Sequence, residues 1–338
     1  MNRARIGVGA RYANASPCRE HLSMRRSAQL EPLQANRENS DVSANRRAIS
    51  MSEIYEFTCE GDRLIGVLHL PTGDAEGIVV LTGPLTSVKE QATGAWAKRL
   101  CERGFAALSF DHRHFGESSG LPRQLENPWA KIADVRAAAN ALCRDRRFAA
   151  KRMFAVGVCA GAGYMARAVA EEPHFAAFAG VAGYYAEATE ASIAAAAPAI
   201  ARAREDEKRW LERGIAETIP AVAADNGDVA MPLAEAFAYY GTERGAVANY
   251  VNGFAVQSRA YTVTFDAIGA AKLIKVPTLV IHSDNALAPS LARRFQGGLR
   301  APRTLWLRSS GQIDFYDDPN LIATGADAIA EFFRSYSS

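Results

Sequence analysis

Gly157-Val158-Cys159-Ala160-Gly161 follows directly on the apolar run Met153 to Val158. A small nucleophile between two glycines after such a run reads as a strand that stops, a sharp strained turn and a helix. Glycine suits both flanking positions because a side chain there would meet neighbouring backbone. The pattern is that of a nucleophile elbow, with cysteine where serine is usual. A thiol at a helix N-terminus sees the positive end of the backbone dipole and free N–H groups, which predicts a lowered pKa and more thiolate.

Outward from the elbow, strands and helices alternate. Tyr55 to Cys59 and Leu64 to Leu70 read as a hairpin around Glu60-Gly61-Asp62, and Gly77 to Leu81 as a buried strand ending at Thr82-Gly83-Pro84. Gln91 to Arg103 is an amphipathic helix closed by Gly104. Phe105 to Phe110 is the next strand and Pro128 to Leu142 the next helix. After the strand at 153–158 come a helix over Ala160 to Glu172 and a strand over Phe178 to Tyr184. Thr278 to His282 and Thr304 to Leu307 complete the strands, and Asn320 to Tyr336 is a final helix. Such alternation implies a mostly parallel sheet flanked by helices, with the ligand site beyond the carboxyl ends of the strands.

Residues 187–259 break the alternation with a helical pattern, and seventy residues between two core strands are too many for a loop. They predict a helical lid inserted before the strand at 278–282. Ala194 to Ala197 and Trp210-Leu211 are expected on its apolar faces, Arg202 to Arg209 on a solvated one, and Asp225-Asn226-Gly227-Asp228 in a turn. Its aromatic residues Phe237, Tyr239, Tyr240, Tyr250 and Phe254 either pack the lid on itself or line an acyl pocket. Tyr239, Tyr240 and Phe254 are the expected substrate-binding residues.

Composition sets the boundaries of this organisation. Of 338 residues, 49% are hydrophobic and 22% charged, which suits a globular chain with a sizeable core. Residues 1–50 carry nine Arg and four acids, so the net charge of +2 leaves the remainder near −3. The folded part therefore has no basic nucleic-acid-binding face. Residues 1–50 lack periodicity and read as a disordered extension ahead of Met51-Ser52-Glu53. The expected core then runs over 51–186 and 260–338. Five scattered cysteines without paired metal spacing suggest free thiols in a reducing, cytoplasmic compartment and no metal site. No run of 18 apolar residues occurs, so no membrane span is expected. No nucleotide-binding glycine loop is present, and no cofactor is expected. A homodimer is compatible with the sequence.

Four stretches in order resemble the α/β-hydrolase superfamily, in particular its dienelactone-hydrolase-like and peptidase-like branch. They are Thr82 to Gln91 in the oxyanion-loop position, Phe110-Asp-His-Arg-His-Phe-Gly-Glu-Ser118, the elbow at Cys159, and Val276 to Asp284 leading to Pro289. The resemblance covers about residues 55 to 335. It implies an oxyanion hole from the N–H groups of Ala160 and Leu85, since Pro84 has none. It also implies an acid and then a histidine after the nucleophile. The expected acid position holds Asn285, with Asp284 adjacent as its substitute, and the expected histidine position holds Gln312. No histidine follows His282, which ends the strand before the acid loop and either replaces the missing base or points into the core. Arg113 is expected to brace its loop by pairing with Glu117 or Asp111.

Cysteine changes the consequence of a missing base. A serine hydroxyl without one is nearly inert, whereas a thiol is a few per cent ionised at neutral pH. General-base assistance is typically worth about 10²–10⁴-fold, and its loss affects deacylation as well. Three functions are consistent with these residues. One is an ester or thioester hydrolase acting on a small or medium acyl substrate through an acyl-enzyme on Cys159. Another is an acyltransferase, cyclase or lyase of secondary metabolism on the same fold. The third is a non-catalytic binding protein with a degenerate triad.

Overall fold

Strands β1 (Met51–Cys59) and β2 (Asp62–Leu70) form an antiparallel hairpin through the turn at Glu60 and Gly61, both at positive φ. Six further strands follow: β3 (Ile78–Thr82), β4 (Ala106–Phe110), β5 (Met153–Val158), β6 (Phe175–Val181), β7 (Thr278–His282) and β8 (Pro302–Trp306). The sheet order is β1-β2-β4-β3-β5-β6-β7-β8, antiparallel at the first two pairings and parallel at the rest. This computed structural model describes residues 51–337 apart from Asn226. The extension expected over residues 1–50 lies outside the described residues.

The central strands β3, β4 and β5 are buried at every position, as continuous apolar runs covered on both faces require. Helices α1 (Ala92–Cys101), α2 (Pro128–Arg144), α3 (Ala160–Glu171), α8 (Pro289–Gly298), the short α9 (Asp314–Asp317) and α10 (Pro319–Arg334) follow the strands. Asn127 caps α2 and Asp318 caps α10, each accepting two backbone N–H bonds in the first turn. On one face Phe154 stacks on Phe333 at 4.4 Å, and Phe105 meets both rings edge-on. The register pairs Thr82 with Gly157, Val158 with Val181, and Val181 with Ile281. The carboxyl ends of β3, β5, β6 and β7 therefore meet at one edge of the sheet, and that edge carries the site.

Between β6 and β7 the chain forms an insertion with α4 (Glu190–Ala195), α5 (Ala197–Arg213), α6 (Ala234–Tyr240) and α7 (Ser258–Thr262). A small antiparallel ribbon pairs Thr218–Ile219 with Phe254–Ala255. The expected apolar faces are corrected here: Leu211 is 78% exposed, and α5 buries only Ala203 and Asp206. The insertion is held instead by α6, whose Ala236, Tyr239 and Tyr240 join the main core, and by polar ties. Arg244 pairs with Asp317 at 2.5 and 2.7 Å, Gln91 donates to the Gly245 carbonyl at 2.8 Å, and Arg294 grips Glu187. Among the described residues no helix is long and apolar enough to cross a membrane.

Burial holds the pKa of His69, His112, His114 and His282 below the ordinary 6.5. Between the folded and unfolded values the unfolded chain binds more protons, so stability rises with pH there. We expect the urea midpoint to be level near pH 8 and to fall as pH drops below about 6.5, before carboxylates titrate. A midpoint unchanged from pH 8 to 5.5 would contradict this.

Candidate active site

Cys159 sits between β5 and α3 with φ +56° and ψ −124°, a conformation unfavourable for any residue with a side chain. Its neighbours explain the glycines. A Cβ on Gly157 would lie 2.5 Å from the Ala162 Cα, and one on Gly161 would lie 2.5 Å from the carbonyl oxygens of Thr82 and Gly83. Gly161 thus lets the start of α3 press against the end of β3. Backbone bonds lock the turn: the Cys159 N–H donates to Val181, and the Cys159 carbonyl accepts from Ala162 and Tyr184.

The loop after β3 faces this turn, pinned from beneath. Lys89 is buried and reaches Asp111 at 2.8 Å, Glu117 at 2.5 Å and Glu90 at 2.7 Å, while its N–H donates to Asp111. The Thr86 N–H donates to the buried carboxylate of Glu126 at 3.1 Å. Lys89, rather than the expected Arg113, pairs with Asp111 and Glu117. Arg113 instead bonds Asp134 and Glu60, each at 2.7 Å. His112 bridges Thr82 at 2.7 Å and Asp134 at 3.2 Å, holding the loops together.

Cys159 lines a cavity of about 540 Å³. Leu85 and Ala160, the two expected oxyanion donors, both line it, as do Tyr164, Tyr240, Gln312, Tyr316 and Glu235. The remaining lining is mostly apolar, from Met231, Leu233, Val263, Phe265, Leu287 and Ile313, and no Lys, Arg or His belongs to it. The expected lowering of the Cys159 pKa is corrected: burial raises it, and this outweighs the opposing hydrogen bonds from the Tyr316 hydroxyl, the Ala160 N–H and the Gln312 amide. The negative charge of Glu235 raises it further. The resting group is a thiol. Among the described residues no group of three or more His, Cys, Asp or Glu could hold a metal ion.

The structure separates several residues that the sequence grouped. His282 is fully buried in the core against Trp306, its Nδ1 at 2.9 Å from the Ser283 carbonyl, and it does not line the cavity. Asp284 points to solvent, its side chain 71% exposed and paired with Arg293, so it supplies no acid to the nucleophile. Asn285 in the family's acid position spends its amide on the Ser309 carbonyl at 2.8 Å. Tyr239 is buried between Tyr240 and Tyr316, and Phe254 packs with Ile219 and Val256. Of the three expected substrate-binding aromatics only Tyr240 reaches the cavity.

Gln312 stands in the site as a clamp. Its Nε2 donates to the Ala182 carbonyl and its Oε1 accepts from the Leu287 N–H, both at 2.9 Å, while its own N–H donates to Glu235. An amide cannot accept a proton at neutral pH, so it is no base. Replacing Gln312 by alanine leaves the buried Ala182 carbonyl unpaired, at about 1–3 kcal/mol, and the half-buried Leu287 N–H unpaired at less. We expect a clear drop in the urea midpoint, and a wild-type midpoint would disprove the clamp.

Three cavity residues escaped sequence reasoning. Tyr316 lies four residues after Gln312 and was within reach, because it shares the histidine loop. Tyr164 lies on the first turns of α3, where its hydroxyl donates to Glu126 at 2.9 Å. Glu235 gave no signal, because it lies 77 residues from its partner Gln312 on a short helix of ordinary pattern.

Comparison with known proteins agrees with this architecture. The family model described as serine aminopeptidase, S33, matches residues 78–301. The Escherichia coli K12 protein YcjY, described as uncharacterized, is 26% identical over 310 residues, covering 88% of this chain and 98% of its own. PA2218 of Pseudomonas aeruginosa is 26% identical over 86% of this chain and 80% of its own. The crystal structure of PA2218 superposes with a TM-score of 0.75 at 23% identity, over 85% of this chain and 94% of that chain. A shorter match, 36% identical over 84 residues, is to the thiohydrolase aneE of Aspergillus aculeatus, covering 25% of this chain and 26% of that protein. An eight-stranded, mostly parallel sheet with an elbow beyond β5, matched over most of the sheet by that family model, leaves one conclusion: the chain belongs to the serine aminopeptidase S33 family of α/β-hydrolases.

Proposed function

We propose that the chain is an ester or thioester hydrolase that forms an acyl intermediate on Cys159. The observation that carries this reading is that the thiol lines one cavity together with Leu85 and Ala160, whose N–H groups suit a developing oxyanion. The cavity's volume suits a small or medium acyl group, and its apolar lining without cations favours a neutral one. Thioesters are the favoured donors, because a thiolate leaves with less help from an acid. The likeness of one quarter of the chain to a thiohydrolase supports the same choice. The insertion, whose α6 supplies Glu235, Ala236 and Tyr240 to the cavity wall, acts in this reading as a lid.

A second reading is acyl transfer or cyclisation, in which an alcohol, amine or carbon nucleophile replaces water. It is favoured by the apolar lining, which admits little water, and by the amide at the position of the family's histidine. Intact-protein mass measured after incubation with acyl thioesters and aryl esters tests both. A Cys159-dependent adduct that decays in water supports hydrolysis, and one that persists until an alcohol or amine is added supports transfer. No adduct from any donor, with a thiol that resists iodoacetamide even above pH 9, would leave a binding protein.

A further inference from the structure

We propose that Glu235, delivered by the insertion, is the general base of the Cys159 site and occupies the role that histidine fills elsewhere in the family. The proposal rests on the reading of Cys159 as an acyl-forming nucleophile. Glu235 lines the cavity together with Cys159 and Gln312. Its Oε2 accepts the Gln312 N–H at 2.9 Å, which fixes the carboxylate, and a Cβ on Gly311 would collide with that same oxygen. Oε1 has no hydrogen bond or ion pair among the described residues, so one oxygen is held and the other is free. The other acid of the cavity, Glu187, is engaged through both oxygens by Arg294. The cavity hydroxyls of Tyr164, Tyr240 and Tyr316 have pKa values pushed well above 10 by burial and cannot serve as bases. Glu235 shares the cavity with Cys159, and its charge opposes ionisation of that thiol.

In acylation the sulfur attacks the acyl carbon and the thiol proton passes to Oε1, directly or through one bridging water. Collapse of the tetrahedral intermediate breaks the bond to the leaving group, which takes that proton from Glu235. In deacylation Glu235 removes a proton from water as its oxygen attacks the thioester carbon. The C–S bond then breaks and the departing thiolate recovers the proton, so Glu235 ends the cycle as it began.

Glu235→Gln tests this, because the amide oxygen can still accept the Gln312 N–H but cannot take a proton. With an aryl thioester as donor, we expect kcat/KM to fall by about 10²-fold or more. The Cys159 adduct should persist in intact-mass measurements, and the carboxylate limb of the wild-type pH–rate profile should vanish. Unchanged adduct decay, or a loss of rate that leaves the pH profile intact, would overturn the role of Glu235 while sparing that of Cys159. No adduct on the wild-type protein with any donor would overturn both.

Discussion

Replacing Cys159 by alanine is expected to abolish acyl transfer, with kcat/KM for thioesters and activated esters falling by at least about 10³-fold. Replacing it by serine is expected to do nearly the same. Serine is slightly smaller than cysteine and fits the elbow sterically, so size is not the obstacle. The obstacle is the proton. A hydroxyl must lose it as it attacks, and the cavity offers no imidazole to accept it. A carboxylate takes the proton of a thiol readily; from serine it would have to draw one several orders of magnitude less acidic in acylation, as it already must from water in deacylation, so the first step slows steeply. The pKa of Cys159 is raised by burial, so alkylation by iodoacetamide should be slow at pH 7 and should quicken as pH climbs past 9, the ordinary thiol value. Kinetics of the two variants, each with its urea midpoint, provide the check. Appreciable turnover by Cys159→Ser would show that a stronger base than the Glu235 carboxylate reaches the site.

What could be read from the chain, and what could not, follows the range of the interactions involved. The elbow was readable because its constraints are local: Gly157 and Gly161 are glycines for reasons set within a few residues and one neighbouring strand. The strand runs were readable because burial on both faces leaves an uninterrupted apolar signature, as in Ile78–Thr82. Strand β6 was misplaced by three residues, read over 178–184 and found at Phe175–Val181, because the apolar stretch continues past the strand. Ala182 turns to positive φ, Tyr184 faces the cavity and Tyr185 stacks on Phe295 in the core. Hydrophobicity there serves packing and the cavity wall rather than the sheet. Asp284 and Asn285 show the same limit more sharply. Adjacency to the family's acid position says nothing about direction, and the carboxylate turned outward to Arg293. The tie between Glu235 and Gln312 joins an insertion to a core loop, and such a contact leaves no periodicity to detect.

Lys131→Met is expected to cost about 3–5 kcal/mol of stability, among the largest effects for any single side chain outside the sheet core. Glu126 and Lys131 are both buried, with the ammonium 2.7 and 2.8 Å from the two carboxylate oxygens. Lys131 also lies 4.6 Å above the ring of Phe115, so no water shell can replace the pair. Methionine fills a similar volume but strands the Glu126 charge, and it is this unpaired carboxylate, rather than the lost attraction, that sets the cost. The double variant Glu126→Gln with Lys131→Met should therefore recover much of the loss, which a double-mutant cycle on urea midpoints would reveal. Activity should respond as well. Glu126 accepts from the Thr86 N–H, next to the oxyanion donor Leu85, and from the hydroxyl of Tyr164 on the cavity wall. A shifted carboxylate would move both the donor and the wall, so kcat/KM of the folded Lys131→Met protein should drop beyond what its unfolded fraction explains. A single variant within 1 kcal/mol of wild type would mean that Glu126 does not depend on Lys131 for its charge. The oxyanion loop would then rest on the Lys89–Asp111 anchor alone, because that is the other buried ion pair tied to its backbone.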